Sequence, residues 1–382
     1  MSDHYCAAPF SHLALECSKS SYRPCCTWHH TVPCPIPDGD ADPMNHPWME
    51  SLREHMLSGE QHPGCIKCYQ NEAASGWSMR KDFNRTHGRL VEHDLTYLEI
   101  NFGNLCNLKC RMCGSWGSSR WIADEIKLGW HHGSLVRRTL DDIHVDFAKL
   151  ERIKFIGGEV SLEQDSMREI FLRILRARND LKHLEVEIIT NGTVPLAGDI
   201  LSMLSACNRV MMTVSMDGIG AWNDYQRTGS TWSDIAKTAK RYYEFTSPNW
   251  QLIITSCVTI YTIGGITQLI DWVTSELPMA KHIVQSAFDP KELILRNLPQ
   301  SYKNIMIDQL TQWVPAPRET LPDWLPYKMH EFETVRQALI WHIQQDPTCS
   351  LDEVKSRLDL LDSVRDDRLS EQNTKLFAHL FG

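Results

Sequence analysis

Two regimes of apolar patterning divide the chain. From residue 95 onward, short apolar runs of strand length alternate with longer stretches whose apolar residues recur every three or four positions. The strand-like runs are 96–102, 152–156, 184–189, 209–216, 251–260 and 282–286. The clearest helical stretch is 164–178, QDSMREIFLRILRAR, with Met167, Ile170, Phe171, Ile174 and Leu175 on one face. Strands alternating with helices predict an α/β fold built on a parallel sheet. Before residue 95 the pattern is broken by Pro9, Pro24, Pro33, Pro35, Pro37, Pro43, Pro47 and Pro63, so this part reads as loop-rich. Its one periodic stretch, 47–59, predicts a short helix ending at Gly59. After about residue 287 the chain reads as helical, over 300–313, 327–345, 351–361 and 369–380. Three domains follow: 1–94, 95–287 and 288–382.

Composition changes this picture little. The 382 residues are 42% hydrophobic and 23% charged, with a formal net charge of −9, so no global field favours nucleic acid or an anionic membrane. No apolar run approaches a membrane span, and MSDHYCAAPF lacks a signal pattern, which leads to the expectation of a cytoplasmic protein. In that compartment 13 cysteines point to metal or redox chemistry rather than to disulfides.

The chemistry concentrates at LTYLEINFGNLCNLKCRMC, where Cys106, Cys110 and Cys113 follow a strand directly. Three thiolates at this C-x3-C-x2-C spacing can ligate three irons of a cubane cluster, leaving the fourth iron open to a substrate-like molecule. A zinc loop is the alternative, although zinc sites more often pair C-x2-C knuckles. The second strand ends in Gly157-Gly158-Glu159, where the glycines let backbone approach a ligand and Glu159 can accept from an ammonium group.

With these residues the chain resembles the radical S-adenosylmethionine enzymes, in which the open iron chelates S-adenosylmethionine and the triplet is catalytic. The resemblance implies a partial (β/α)6 barrel with the site at the carboxyl ends of its strands. It implies that Gly157, Gly158 and Glu159 bind the methionyl amine; the proline usual after this motif is Val160 here. It places Asn191, Ser215 and Asp217 near the ribose or methionyl end, and Met112 against adenine where relatives often carry an aromatic residue. Arg227 becomes a partner for the cofactor carboxylate, with a surface arginine as the competing reading. Val258 and Ile260 line the adenine pocket or simply fill the core.

The arrangement Cys6 … Cys25-Cys26 … Cys65-x2-Cys68 resembles the cysteine-rich modules called SPASM and twitch, which hold an auxiliary [4Fe–4S] cluster. By that resemblance Cys6, Cys25, Cys65 and Cys68 are its ligands, with Cys26 the alternative to Cys25 and with Cys17 and Cys34 unassigned. A zinc site on the same four residues is the other reading. The module precedes the catalytic part here, whereas in most relatives it follows.

The resemblance implies reductive cleavage of S-adenosylmethionine to a 5'-deoxyadenosyl radical, an external reductant such as flavodoxin or ferredoxin, and hydrogen abstraction from a peptide or amino-acid-derived substrate. Oxidation, cross-linking and epimerisation stay open as outcomes. Cys207, Cys257 and Cys349 are spare thiols, each a hydrogen donor or a small buried residue. A carbohydrate or nucleotide-linked substrate is the alternative, and a non-catalytic iron–sulfur binding or electron-transfer protein the alternative of another class. Trp313, Trp324 and Trp341 read as packing residues.

Overall fold

A computed structural model describes residues 4–16, 21–37, 40, 42–138, 140–316 and 332–365. The fold is α/β with a mostly parallel sheet. The chain divides into two units: Met1–Asn104 with Leu135–Ile188 and Leu196–Val210, and Leu105–Ser134 with Ile189–Pro195 and Met211–Gly382.

In the first unit the strands are β1 (His12–Glu16), β2 (Ser21–Arg23), β3 (Ile36–Pro37), β4 (Tyr97–Asn101), β5 (Arg152–Ile156) and β6 (Glu185–Thr190), in the order β3-β2-β1-β4-β5-β6. β1, β4, β5 and β6 run parallel, while β2 is antiparallel to both β1 and β3. Alternation does the sorting. Ile153 and Phe155 on β5, and Val186 and Ile188 on β6, have no exposed surface, whereas Arg152, Lys154, Glu185 and Glu187 take the other face. Helix Gln164–Arg178 supplies Met167, Ile170, Phe171 and Ile174 to the core, and Phe171 meets Phe155 edge-on at 5.7 Å. Each such side chain contributes about 1.5–3 kcal/mol when taken from water. The helix stops at Asn179, whose φ of 65° ends the ladder.

The N-terminal third departs from expectation. Helix Pro47–Ser58 is present and capped by Gly59 in the left-handed region, but it is accompanied by β1, β2 and β3 and by helices Ile66–Ser75 and Met79–His87. β1 pairs in parallel with β4, from His12 opposite Tyr97 to Leu15 opposite Ile100. Five residues among prolines give a weak local signal. The pairing partner lies more than 80 residues away, and the burial of Leu13 and Leu15 comes only with it.

In the second unit β7 (Arg209–Ser215) lies beside β8 (Trp250–Val258), which runs parallel to β9 (Lys281–Ser286). The tail forms helices Gln300–Gln312, Phe332–Gln344 and Leu351–Arg365. The expected helix at 369–380, the start of the one at 327–345, Trp324 and Cys17 lie outside the described residues. Trp313 packs with its indole N–H on Asp271, while Trp341 is half exposed. Among the described residues no helix is long and apolar enough to cross a membrane.

Candidate functional site

The second unit carries the three-cysteine loop. Its backbone is tied to the turn after helix Ala221–Gln226: Lys109 N–H donates to Thr228 O at 2.9 Å and Arg111 N–H to Gln226 O at 2.7 Å. Trp121, at the start of helix Trp121–Leu128, donates its indole N–H to Cys110 O at 2.9 Å. Cys106 is buried, and Cys110 and Cys113 partly so. Burial pushes the Cys113 thiol up to about 11; a backbone hydrogen bond at Gly114 opposes this, the Cys106 thiol adds to it, and Arg227 opposes it again. Cys110 is raised in the same way by burial, with Arg227 opposing and Cys113 and Cys106 adding to the rise. The three thiols thus sit within one another's field, beside a guanidinium.

Two donors face the sulfur of Cys106. Leu108 N–H points at Cys106 Sγ at 3.4 Å, and Asn191 Nδ2 lies 3.9 Å from the same atom. Asn191 is held by Asn107 Oδ1 at 2.9 Å and accepts from Thr193 N–H and Oγ1 at 2.9 and 2.6 Å. Asn191 therefore stands at the cysteine loop. Hydrogen bonds to the sulfurs of such a site set its electronic character. Asn107 was not foreseen from the sequence, although its place next to Cys106 was a signal.

Asp217 and Arg227 are brought together, with each other as principal partner. Arg227 Nε lies 2.8 Å from Asp217 Oδ2 and Nη2 lies 3.1 Å from Oδ1, and both side chains are buried. Asp217 Oδ1 also accepts from Cys257 N–H at 2.8 Å. The competing expectation of a surface arginine is overturned: Arg227 is 7% exposed. Ser215 Oγ lies 3.5 Å from Thr255 Oγ1, Met112 is half-buried, and Val258 and Ile260 are fully buried.

In the first unit the second strand ends as expected at Gly157-Gly158-Glu159. Gly158 N–H donates to Gly103 O at 2.7 Å, and Glu159 is buried with Oε1 accepting from Ser161 N–H at 2.9 Å, capping the turn Val160–Leu162. Gly103 went unnoticed in the sequence. Its φ is 119°, and a Cβ there would sit 2.1 Å from Val136 O.

The same unit gathers Cys6, Cys25, Cys65 and Cys68. Burial pushes Cys25 up to about 12, with the Thr27 hydroxyl opposing and the Cys65 and Cys68 thiols adding. Burial likewise raises Cys6, with Cys25, Cys65 and Cys68 adding to it. Thr27 Oγ1 spans Cys25 Sγ at 3.5 Å and Cys68 Sγ at 3.7 Å. Cys26 is more exposed, and its charged neighbours besides Cys25 are Glu99 and Lys154. Among the described residues no three His, Cys, Asp or Glu converge tightly enough for a single metal ion. Of the remaining thiols, Cys34 donates to Tyr22 O at 2.9 Å and Cys207 to Met203 O at 3.4 Å, while Cys349 lies 4.0 Å from Lys291 O.

Residues 100–269 match the family model of the Radical SAM superfamily. The matched segment contains the cysteine triplet, Gly157-Gly158-Glu159, Asn191, Ser215, Asp217, Arg227 and Val258, and excludes Cys6, Cys25, Cys65 and Cys68. Among the solved structures, the chain is similar to anSMEcpe with bound AdoMet at 18% identity and a TM-score of 0.40, covering 57% of this chain and 60% of that one. It is similar to Streptococcus suis SuiB bound to the precursor peptide SuiA at 14% identity and a TM-score of 0.37, covering 74% of this chain and 54% of that one. The Streptococcus suis SuiB structure with S-adenosylmethionine matches at 14% and 0.37, covering 76% and 52%. The chain thus spans between about half and three-fifths of these proteins' lengths, and likenesses this distant carry no functional argument. No curated protein matches the sequence.

Proposed function

We propose that this protein is a radical S-adenosylmethionine enzyme with an N-terminal, twitch-like auxiliary module, acting on a peptide or amino-acid-derived substrate. The observation that carries the reading is three thiols on one loop within one another's field, with N–H donors facing the sulfur of Cys106, inside the segment that matches the superfamily. Cys106, Cys110 and Cys113 would hold a [4Fe–4S] cluster, which would supply the electron for reductive cleavage of S-adenosylmethionine to methionine and a 5'-deoxyadenosyl radical.

The chain's own residues then have separable tasks. Asn191 and the Leu108 N–H hold Cys106 by donating toward its sulfur. The Arg227–Asp217 pair sets the local charge beside Cys110 and Cys113. Gly158 and Glu159, at the carboxyl end of β5, bind the methionyl amine, and Met112 packs against adenine. Cys6, Cys25, Cys65 and Cys68 would hold the auxiliary cluster, and the mutual proximity of their thiols supports that set. The partial (β/α)6 barrel, the flavodoxin- or ferredoxin-type reductant and the cytoplasmic setting belong to the same proposal. The peptide substrate rests on the likeness of the cysteine-rich module to SPASM and twitch.

Anaerobic reconstitution with iron and sulfide, then reduction in the presence of S-adenosylmethionine, tests the proposal. 5'-Deoxyadenosine is expected from the wild type and none from Cys106→Ala. A reconstituted chain that takes up zinc and forms no 5'-deoxyadenosine defeats it.

A further inference from the structure

Helix Leu351–Arg365 is far from the triplet in sequence, yet two of its side chains reach the three-cysteine loop. Asp362 Oδ1 accepts from Arg111 Nη2 at 2.6 Å, and Arg111 is the residue immediately after Cys110. The Arg111 side chain has no exposed surface and is 3.5 Å above the centre of the Tyr225 ring. Its Nε donates to Tyr225 O at 3.0 Å, and the Tyr225 hydroxyl lies 3.2 and 3.1 Å from the two oxygens of Asp362. Arg111, Tyr225 and Asp362 thus form a closed triangle of polar contacts.

One turn on, Arg365 grips the other side of the loop. Its Nη1 donates to Lys109 O and its Nε to Asp124 Oδ2, both at 2.8 Å, and its guanidinium lies 4.2 Å from the centre of the Trp121 ring. Trp121 is the residue that holds Cys110 O, and Asp124 also pairs with Lys109 Nζ at 3.2 Å. Residues 362 and 365 are three apart, so one helix face presents both groups. The tail therefore holds the residues on both sides of Cys110, Lys109 through its backbone carbonyl and Arg111 through its guanidinium.

We infer that Asp362 and Arg365 are positioning residues for the three-cysteine loop, and that helix Leu351–Arg365 is part of the catalytic apparatus. This rests on the proposed radical chemistry. A loop that holds three sulfurs at fixed spacing is sensitive to small displacements, because reactivity depends on placement at the sub-ångström scale. Buried arginines bound to backbone carbonyls and to carboxylates are specific in direction, which apolar packing is not.

The test compares full-length wild type, Asp362→Asn, Arg365→Gln, Asp362→Glu and Leu358→Ala after identical anaerobic reconstitution. Leu358 is fully buried on the same helix and serves as the packing control. The readouts are iron content, thermal midpoint, the EPR spectrum of the reduced protein with and without S-adenosylmethionine, and the rate of 5'-deoxyadenosine formation. Asp362→Asn and Arg365→Gln are expected to keep their iron, to show an altered EPR response to S-adenosylmethionine, and to lose between about ten- and a hundredfold in rate. Asp362→Glu is expected to recover most of the rate, and it carries the comparison if the Asn variant does not fold. Wild-type spectra and rates in Asp362→Asn and Arg365→Gln overturn the inference. So does Leu358→Ala reproducing the same spectral change at an equal loss of thermal midpoint. A wild type that forms no 5'-deoxyadenosine overturns the radical chemistry itself, a result distinct from an active wild type with unaffected variants.

Discussion

Arg227 Nε lies 2.8 Å from Asp217 Oδ2, and the two side chains are 9% and 0% exposed. A buried pair of this kind is costly to break from one side, because the remaining charge is left in a medium that solvates it poorly. Arg227→Gln is expected to cost about 3–5 kcal/mol, read as a lower midpoint in urea unfolding. Arg227 also opposes the rise in the Cys110 and Cys113 thiols, so the same variant should take up iron more slowly at neutral pH. An unchanged unfolding midpoint would show that water reaches the pair.

Cys25 and Cys26 are adjacent, yet their surroundings differ. Cys25 lies in the field of Cys65 and Cys68, with Thr27 between it and Cys68, whereas Cys26 faces Glu99 and Lys154. The reconstituted wild type is expected to hold about eight irons per chain, and Cys25→Ala about four. Cys26→Ala should stay near the wild-type value. Equal iron loss from both variants removes the distinction.

His12 gives a pH signature. Burial lowers its pKa to about 3, against the opposing bond to the Pro24 carbonyl and with Lys154, Arg152 and His87 adding to the fall. Its Nδ1 lies 3.0 Å from Pro24 O, so the folded ring is neutral and donates through Nδ1–H. A folded pKa below the unfolded value means that its contribution is fully present above about pH 6.5 and lost as pH falls toward 3. Between about pH 6.5 and 4.5 the loss is on the order of 2 kcal/mol. Comparing the pH dependence of urea midpoints in wild type and His12→Asn checks it, and the variant's curve should be flatter in that window.

Gly103 precedes the cysteine loop and receives Gly158 N–H on its carbonyl. With φ at 119° and Val136 O 2.1 Å from a would-be Cβ, Gly103→Ala must move backbone. The expected cost is at least about 1–3 kcal/mol and, on the proposed role of Gly158 at the methionyl amine, weaker S-adenosylmethionine binding by calorimetry. Gly198→Ala, where a Cβ meets nothing within 4 Å, should leave both unchanged.

Much of the architecture was readable because its signals are local. The apolar spacing of Gln164–Arg178 marks its helix at both ends, and five apolar runs locate β5 through β9 to within a residue or two. β1 was not readable: HLALE is short, and its partner Tyr97–Asn101 is remote. The tail could be read as helices but not assigned a place, because Asp362 and Arg365 look like ordinary surface charges until the loop they hold is beside them.

By itself the sequence determined which residues are soft thiols, how closely they follow one another, and where Gly-Gly-Glu ends a strand. Tertiary structure decided orientation and company. It put Cys25 rather than Cys26 among Cys6, Cys65 and Cys68, gave Arg227 to Asp217, and brought helix Leu351–Arg365 onto the loop of Cys110. The physical reason is range. Spacing along the chain fixes only what a few bonds can reach, whereas burial and pairing of charges depend on segments that meet after the core has formed.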